Sequence, residues 1–212
     1  MNRRPLKRSR AETQAETRRL LLDAAAQMFA RRGYHGVSID EVAEAAGYSK
    51  GAVYANFDSK QDLLLQLLGE HMEAKLQSLE AALLPAGIEG PRLDHLEQWL
   101  GATNAVADWP LLALELQLHA RRDRRFGMRA DRLFEEHRAR LAELIGRFFA
   151  AAGRKPPVPV AELARGCSAL AEGLACQSGL GDPAKSPAGR LLAAWMGALL
   201  ETAPKVGAKP GG

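Results

Sequence analysis

A stretch from Ser38 to Lys60 decides the fold of this chain, and it reads SIDEVAEAAGYSKGAVYANFDSK. Ser38, followed three residues later by Glu41, is typical of a capped helix start, and Gly47 suits a tight turn because glycine tolerates positive φ. Ser49 can then cap a second short helix. Two short helices joined by a glycine-containing turn form a helix-turn-helix, whose second helix can enter the major groove of DNA. The stretch therefore predicts a DNA-binding module.

The second short helix has a surface of hydroxyls, one charge and small side chains, without long acidic groups. Small residues allow a helix to approach base edges closely, and Lys or Tyr side chains can reach phosphates or bases. Lys60 falls in the first turn of the following helix, where the backbone amides favour an anion, so a lysine there fits a nearby phosphate. The residues expected to contact DNA on this ground are Tyr48, Ser49, Lys50, Gly51, Ala52, Tyr54 and Lys60.

This segment resembles the DNA-binding region of the tetracycline-repressor (TetR/AcrR) family over about residues 17 to 68. The resemblance is carried by Gly33-Tyr34, Ser38-Ile39, Val42 to Phe57 and Ser59-Lys60. It implies a homodimeric transcriptional regulator, usually a repressor, with a ligand-responsive helical domain at its C-terminal end. It also implies that Ser38 meets a backbone phosphate, that residues 49 to 52 face bases or nearby phosphates, and that Tyr54 and Lys60 clamp the DNA backbone.

The segment departs from the family's pattern at two positions. Asn56 stands where the family more often has His or Tyr. Its side-chain amide can still donate a hydrogen bond to phosphate, so Asn56 joins the expected DNA contacts. Val37 stands where the family often has Thr, which removes one hydroxyl beside Ser38.

The net charge of the chain is concentrated at its N-terminal end. The chain has 29 Lys and Arg against 25 Asp and Glu, a formal charge of +4. Residues 1 to 60 contain 11 basic and 7 acidic residues, whereas residues 61 to 212 contain 18 of each. A basic end of this kind suggests contact with a polyanion. Residues 1 to 12, the most basic part, are interpreted either as a disordered arm that contacts DNA or as a solvated tail.

The fold class predicted from periodicity is all-α. Apolar residues recur at helical spacing along the chain, and convincing strand alternation is lacking. We expect about nine helices in an N-terminal DNA-binding domain and a C-terminal domain for effector binding and dimerisation. The predicted segments are a basic disordered arm at 1–12, a helix-turn-helix domain at 13–60, a connecting helix at 61–84, the C-terminal domain at 92–203 and a disordered tail at 204–212.

The C-terminal part contains no motif that names a ligand. A pocket is expected among helices near 92–107, 110–120, 124–152 and 160–178, with a few polar groups between apolar walls. Its candidate residues are Trp99, Asn104, Trp109, Glu115, His119 and His137. The helices near 160–178 and 187–202 resemble the pair that forms a four-helix dimer interface in the family. Candidate contacts are Leu170, Leu174, Gln177, Trp195 and Leu199. A purely structural role in the core or at the surface stays open for each residue of both sets.

Other function classes find little support in the sequence. The five histidines never fall in a metal-binding pair, and Cys167 and Cys176 match no common zinc spacing, so no metal or cofactor is expected. The two cysteines are interpreted as buried apolar side chains in a reducing, cytoplasmic setting. No nucleophile elbow, phosphate loop or dinucleotide fingerprint occurs, and catalysis is therefore not expected. No apolar run approaches the length of a membrane span, so no membrane partner is expected.

The expected function is that of a ligand-responsive homodimeric transcriptional regulator, a repressor in the family's usual manner. It would bind a pseudo-palindromic operator in double-stranded DNA and be released by an unidentified small-molecule effector. Two alternatives from other classes remain open: an all-α protein-interaction module, and a small helical enzyme that does not bind an operator.

Overall fold

The computed structural model of the chain describes residues 10–87, 90–96, 98–99, 109–177 and 188–206. Within these residues the fold is helical, with one isolated antiparallel bridge between Arg154 and Lys205 and no strand. The all-α prediction is confirmed. The eight helices with defined bounds are α1 Arg10–Arg32, α2 Ile39–Ala45, α3 Lys50–Tyr54, α4 Lys60–Leu83, α5 Trp109–Ala120, α6 Arg124–Ala151, α7 Val160–Gln177 and α8 Ala188–Thr202.

Both ends of the described chain contain more regular structure than the sequence suggests. Helix α1 begins at Arg10, inside the segment predicted as an arm, because Ala and Glu continue the helix well and Glu12 complements its N-terminal dipole. At the other end, the Lys155 amide donates to the Pro204 carbonyl at 2.8 Å and the Val206 amide to the Gly153 carbonyl at 2.9 Å. Residues 1–9 and 207–212 lie outside the described ranges, as does most of the helix expected near 92–107, of which 94–96 and 98–99 are helical.

The chain divides into two compact units, Met1–Leu68 and Gly69–Gly212. They are called here the N-terminal unit and the C-terminal unit. Helix α4 contributes residues to both, because it is continuous from Lys60 to Leu83. The domain boundaries expected from the sequence stay a prediction.

The core of the N-terminal unit is built on the predicted apolar face of α1. Leu21, Leu22, Ala25 and Phe29 are all buried on that face. Helix α1 contacts α2, and α2 contacts α3. Further buried side chains of this unit are Ile39, Val42, Ala43, Val53, Phe57, Leu63, Leu64 and Leu68. Burying each large apolar side chain stabilises the fold by about 1.5–3 kcal/mol, and this packing on α1 holds α2 and α3, which are too short to be stable alone.

The C-terminal unit is organised around α6, which contacts both α5 and α7. The buried side of α6 includes Phe126, Phe134, Leu141, Leu144, Ile145, Phe148 and Phe149. Helix α7 approaches α8 closely at Gly166, where an added Cβ would lie 3.3 Å from the Trp195 ring. None of the described helices is long and apolar enough to cross a bilayer.

The two cysteines differ, contrary to the expectation that both are buried. Cys167 is buried, with its Sγ 3.7 Å from the Met196 Sδ, and burial raises the pKa of its thiol to about 11. Cys176 is exposed. It lies near the end of α7, on a helix that alternates buried and exposed faces, and nine residues place it off the face that carries Cys167.

Candidate nucleic-acid interface

The start of α2 has the capping box predicted from Ser38 and Glu41. The Ser38 hydroxyl accepts from the Glu41 amide at 3.2 Å, while the Glu41 carboxylate accepts from the Ser38 amide at 2.7 Å. The carboxylate also lies 2.8 Å from the Arg32 guanidinium. The hydrogen bond from the Ser38 amide, with further help from the Ser38 hydroxyl and Arg32, lowers the pKa of Glu41 to about 2. The beginning of α2 is thus held to the end of α1.

The turn between α2 and α3 depends on a glycine. Gly47 has a φ of +75°, a conformation that L side chains adopt only with strain. The Tyr48 amide donates to the Ala43 carbonyl at 2.8 Å and closes the turn. Ser49 caps α3, since its hydroxyl accepts from the Ala52 amide at 3.3 Å. The predicted helix-turn-helix is therefore present, with the predicted caps and turn residue.

Helix α3 buries Val53, leaves Ala52 half-buried and exposes the rest of its short surface. Val53 is 1% exposed, whereas Tyr54 is 50% exposed. Ser49, Lys50 and Gly51 are also exposed. The exposed face therefore combines a hydroxyl, an ammonium and a position without a side chain. Such a face can lie close to base edges in a major groove.

Lys50 is paired across the helix-turn-helix with an acidic residue of α2. Its Nζ lies 2.9 Å from the Asp40 Oδ2, and both side chains are more than half exposed. The hydrogen bond to Asp40 raises the pKa of Lys50, so the ammonium stays charged. Solvent screens such an exposed pair, and a DNA phosphate could replace the carboxylate at little cost.

Lys60 contacts two aromatic residues of the N-terminal unit, Tyr34 and Phe29. Its Nζ donates to the Tyr34 carbonyl at 2.5 Å. The same ammonium lies 4.1 Å from the centroid of the Tyr34 ring and 5.9 Å from that of Phe29. Lys60 is the first residue of α4, and these contacts therefore attach the start of α4 to the connection between α1 and α2.

Asn56 points its side chain toward the protein. Its Nδ2 donates to the Ala52 carbonyl at 2.8 Å, and its Oδ1 is buried without a hydrogen-bond partner in the described part of the chain. Its backbone carbonyl accepts from the Arg18 guanidinium at 2.8 Å, and that guanidinium lies 4.7 Å from the centroid of the Phe57 ring. Arg18 thus ties α1 to the end of α3. This role of Arg18 could not be predicted from the sequence, because only its partners in space reveal it.

The first turns of α1 also face this end of α3. The Thr17 hydroxyl donates to the Tyr48 hydroxyl at 3.4 Å. A cavity of about 580 Å³ is lined here by Arg10, Ala11, Thr13, Gln14, Thr17 and Asn56. The start of α1 is therefore next to two residues, Tyr48 and Asn56, that the sequence singled out.

Three of the residues predicted for the effector pocket cluster around one face of α4 in the C-terminal unit. The Trp109 ring stacks on His71 with centroids 4.0 Å apart, and the Lys75 Nζ lies 5.6 Å from the centroid of Trp99. Burial and the nearby charge of Lys75 lower the pKa of His137. Sequence reasoning missed His71 and Lys75, although their spacing of one helical turn on a leucine-rich helix was a signal.

The remaining pocket candidates fall elsewhere. The His119 ring lies 5.0 Å from the Phe126 ring, where α5 meets α6. Glu115 is half-buried on α5, and Asn104 lies outside the described residues. A separate cavity of about 430 Å³ contains none of the six predicted residues. It is lined by Gln117, Ala120, Arg121, Ala130, Asp131, Phe134, Arg138, Arg165, Ser168, Ala169 and Glu172.

The candidate dimer residues lie mainly on inward faces of α7 and α8. Leu170, Trp195 and Leu199 are partly buried against the core of their own unit. Leu174 is half-buried, and the side chain of Gln177 is outside the described part of the structure. The outward face of α8 shows Leu191, Ala194 and Ala198, spaced at three and four residues.

In the described ranges, no group of three His, Cys, Asp or Glu residues is arranged to hold a metal ion.

Comparison with known proteins points to one family of regulators. A family model described as bacterial regulatory proteins, tetR family, matches residues 21–67. The chain is 41% identical over 68 residues to the transcriptional activator FasR of Mycolicibacterium smegmatis, covering 32% of this chain and 31% of that protein. It is 34% identical over 91 residues to the transcriptional repressor BepR of Brucella suis, covering 43% and 42%. The matches thus span less than half the length of either relative.

Similarity of fold extends further than similarity of sequence. The crystal structure of a TetR-family transcriptional regulator from Rhodococcus matches 88% of this chain and 99% of its own, with a TM-score of 0.70. The identity is 21%, so this match bears on the fold alone. The match covers both the helix-turn-helix part and the helical C-terminal part of the chain.

Proposed function

Because residues 21–67 match the family model of bacterial regulatory proteins, tetR family, we propose that this chain is a homodimeric transcriptional repressor of that family that binds a pseudo-palindromic DNA operator. One observation supports DNA binding above the others. Helix α3, capped at Ser49 and placed by the Gly47 turn, exposes Lys50, Gly51 and Tyr54 while Val53 anchors it in the core. Small residues on the outer face leave room for the edges of base pairs.

In the proposed complex, α3 lies in the major groove and reads bases with residues 49 to 52. Tyr54 and Lys50 contact phosphates, and Lys50 exchanges its exposed Asp40 partner for the DNA backbone. Ser38, Tyr48, Asn56 and Lys60 complete the proposed contacts. For Ser38, Asn56 and Lys60 the side chains are engaged within the protein, so their contribution is to hold α2, α3 and α4 in place as well as to meet phosphate.

The proposed dimer uses α7 and α8. The exposed residues Leu191, Ala194 and Ala198 form a strip of small and apolar side chains on α8. Small side chains let helices approach closely, and a two-fold interface would pair this strip with itself. The sequence candidates Leu170, Leu174, Gln177, Trp195 and Leu199 would support or border that interface. Protein two-fold symmetry then requires an operator with two inverted half-sites.

Regulation is proposed to come from a small molecule that binds in the C-terminal unit. Such a molecule changes DNA binding only if it has different affinities for the DNA-bound and free arrangements. Helix α4 is the direct covalent route, because it carries Lys60 at its start and His71 and Lys75 further along. The effector would bind at the cluster that contains Trp99, Trp109 and His137.

The test of DNA binding starts with the full chain and a pool of random double-stranded DNA. DNA sequences retained by the protein are enriched over several rounds, and the affinity for the most enriched sequence is then measured at several salt concentrations. The expected result is an inverted repeat, whose affinity falls at least about tenfold in Tyr54→Ala. Met128→Ala is the matched control, because Met128 is a large residue at 61% exposure on α6. It should bind as the unmodified chain does.

Two outcomes would favour the alternatives. A failure to enrich any sequence would point to a protein-interaction module or a helical enzyme that has kept this fold. Equal losses of DNA affinity in Tyr54→Ala and Met128→Ala would show that α3 is not the element that recognises the operator. The sign of regulation is tested separately by transcription in vitro from a promoter that carries the selected repeat, where a repressor lowers the yield of transcript.

A further inference from the structure

The cavity of about 430 Å³ in the C-terminal unit is formed by three helices, with lining residues from α5, α6 and α7. Small-ligand sites have volumes of about 300–1,000 Å³, so its size suits a small molecule. Two of its lining residues carry a buried polar atom, the Arg138 Nε and the Ser168 Oγ, that has no hydrogen-bond partner in the described part of the chain. Buried polar groups are nearly always hydrogen-bonded. The two atoms therefore need a partner from outside the chain.

These two atoms belong to residues at about the same level of the helix pair α6 and α7. The two helices pack on each other and are joined by the short connection 152–159, so they run antiparallel. A Cβ added at Gly146 would lie 3.9 Å from the Val160 Cγ1, which places the start of α7 beside Gly146. Eight residues after Val160 is Ser168, and eight residues before Gly146 is Arg138. One group of a ligand can therefore reach both.

The charge at this level of the cavity is positive. Arg138 and Arg165 share a single carboxylate, because Glu135 lies 2.7 Å from the Arg138 guanidinium and 3.6 Å from that of Arg165. Two guanidiniums and one carboxylate leave one positive charge. A guanidinium N–H and a hydroxyl can both donate to a carboxylate, and charge-assisted hydrogen bonds are stronger than neutral ones. A ligand carboxylate is the group that satisfies these atoms best.

The other end of the cavity is lined by carboxylates. Glu172 lies four residues beyond Ser168 on α7, and Asp131 lies seven residues before Arg138 on α6, which are about 6 and 10 Å along the helix axes. Both carboxylates are exposed, and Arg121 also lines this end. Two carboxylates and one guanidinium leave one negative charge among the lining residues.

Glu172 already has partners in the protein. It accepts from the Gln117 amide at 3.4 Å. Burial lowers the pKa of Lys75 on α4, and the charge of Glu172 opposes that effect, so Glu172 also acts on this lysine. Asp131 is therefore the carboxylate that we assign to a cationic group of the ligand.

We propose that this cavity binds a zwitterion of about dipeptide length, with its carboxylate at Arg138 and Ser168 and its ammonium at Asp131. Two extended residues span about 7 Å, and the side chains of Arg138 and Asp131 bridge the rest of the distance between their helix positions. A free amino acid is too short, because one Cα separates its two charges. Phe134 lines the cavity between the two charged positions of α6 and offers an apolar surface to the side chains of the peptide.

The proposal goes beyond the proposed function. The cavity shares no residue with the proposed effector site, and its occupation is argued without reference to DNA. Calorimetry on the free, full-length protein therefore tests it. The probes are glycylglycine, L-alanyl-L-leucine and L-alanyl-L-phenylalanine. Each is compared with its N-acetyl form, which lacks the ammonium, and with its C-terminal amide, which lacks the carboxylate. At least one dipeptide should bind at least about tenfold more tightly than both of its derivatives.

A variant at each end assigns the charges of the ligand to the protein. Asp131→Asn should weaken binding of the dipeptide about tenfold and leave binding of its N-acetyl form unchanged, because that form has no ammonium to lose. Glu136→Gln is the matched control, since Glu136 is exposed on the same helix and does not line the cavity. It should bind the dipeptide as the unmodified chain does.

The carboxylate end is tested by Arg138→Gln and Ser168→Ala. Each removes one of the two unpartnered donors, and each should weaken binding of the dipeptide about tenfold. Arg132→Gln removes an exposed guanidinium of α6 outside the cavity and should leave the affinity unchanged. If Arg138→Gln fails to fold, as judged by circular dichroism, Ser168→Ala decides the question for this end, because it removes a single oxygen atom.

The proposal is overturned if none of the three dipeptides binds, or if an N-acetyl or amide form binds as tightly as its parent. It is also overturned if the affinity is unchanged in both Asp131→Asn and Ser168→Ala. The proposed function fails separately, because dipeptide binding is measured without DNA. Absence of any operator would reject the regulator and leave the dipeptide result standing, and absence of dipeptide binding would leave a selected operator standing.

Discussion

The Lys60 ammonium donates a hydrogen bond of 2.5 Å to the Tyr34 carbonyl oxygen and lies 4.1 Å from the centroid of the same tyrosine's ring. Tyr34 is buried, so its carbonyl needs a donor from within the protein. Lys60 provides that donor and begins α4 at the same time. A residue expected to clamp DNA is therefore also a link between α4 and the segment that follows α1.

The two lysines of the proposed interface should separate DNA affinity from stability. Lys60→Met should weaken binding to all DNA sequences, lower the salt slope by about 1, and cost about 1–3 kcal/mol of unfolding free energy, because the Tyr34 carbonyl loses its donor. Lys50→Met should weaken binding with unchanged stability, because Lys50 is exposed. Salt titrations of DNA binding and urea unfolding measure the two effects. Unchanged affinity and slope in Lys60→Met would remove Lys60 from the DNA contacts.

The glycines of the helix-turn-helix should respond in opposite ways to the same substitution. Gly47→Ala should destabilise the protein by about 1–2 kcal/mol, because alanine at a φ of +75° is strained although space for its Cβ is free. Gly51→Ala should leave stability equal or raise it by up to about 1 kcal/mol, since α3 gains helix propensity and the nearest atom is 3.7 Å away.

Urea unfolding checks both glycine variants, and DNA binding adds a second reading. Gly51→Ala should bind the selected operator less well despite its stability, because a methyl group is added to the face proposed to enter the groove. Equal stability losses in the two variants would contradict the turn assignment. Unimpaired operator binding by Gly51→Ala would show that this position does not approach the bases.

The buried His71 should make stability depend on pH. Its pKa is about 4 in the folded protein and near 6.5 when unfolded, so between these values the unfolded state binds a proton that the folded state does not. Stability therefore falls as the pH drops from about 6.5 to 4, by about 1–3 kcal/mol from this residue. His71→Phe should flatten the dependence. The pH dependence of stability that remains in His71→Phe is due in part to His137, because burial lowers the pKa of His137 as well.

Unfolding by urea at several pH values between 4 and 7.5 measures this slope. His95→Phe is a suitable control, because the His95 side chain is 39% exposed beside Asp94. It should retain the slope of the unmodified chain. An unaltered slope in His71→Phe would mean that His71 is protonated equally in the folded and unfolded states.

The exposed strip on α8 should determine the oligomeric state. Ala194→Arg should convert the proposed dimer to monomers, because a long charged side chain would enter a face of small residues. Ala139→Arg places the same change on an exposed position of α6 and should leave the dimer intact. Light scattering after size-exclusion chromatography measures the mass. A dimer that persists in Ala194→Arg would move the interface away from this strip.

Local features of the fold were predictable from the sequence because they depend on neighbouring residues. The Ser38–Glu41 box, the positive φ of Gly47 and the Ser49 cap all involve partners within five residues. The apolar spacing of α1 predicted its buried face for the same reason. Those signals, together with the family resemblance, were enough for the all-α class and the helix-turn-helix.

Contacts between distant segments decided the rest. The sequence placed Lys60 at the DNA-facing end, and only the packing of α4 near the connection between α1 and α2 directs its ammonium inward to the Tyr34 carbonyl. The basic cluster of the C-terminal unit was likewise hidden, because α4 carries His71 and Lys75 whereas Trp109 and His137 come from α5 and α6. Capping and turn preferences depend on residues that are close together in the sequence, so they can be predicted from it. Burial, and with it the pKa of a histidine or lysine, exists only after the helices have packed.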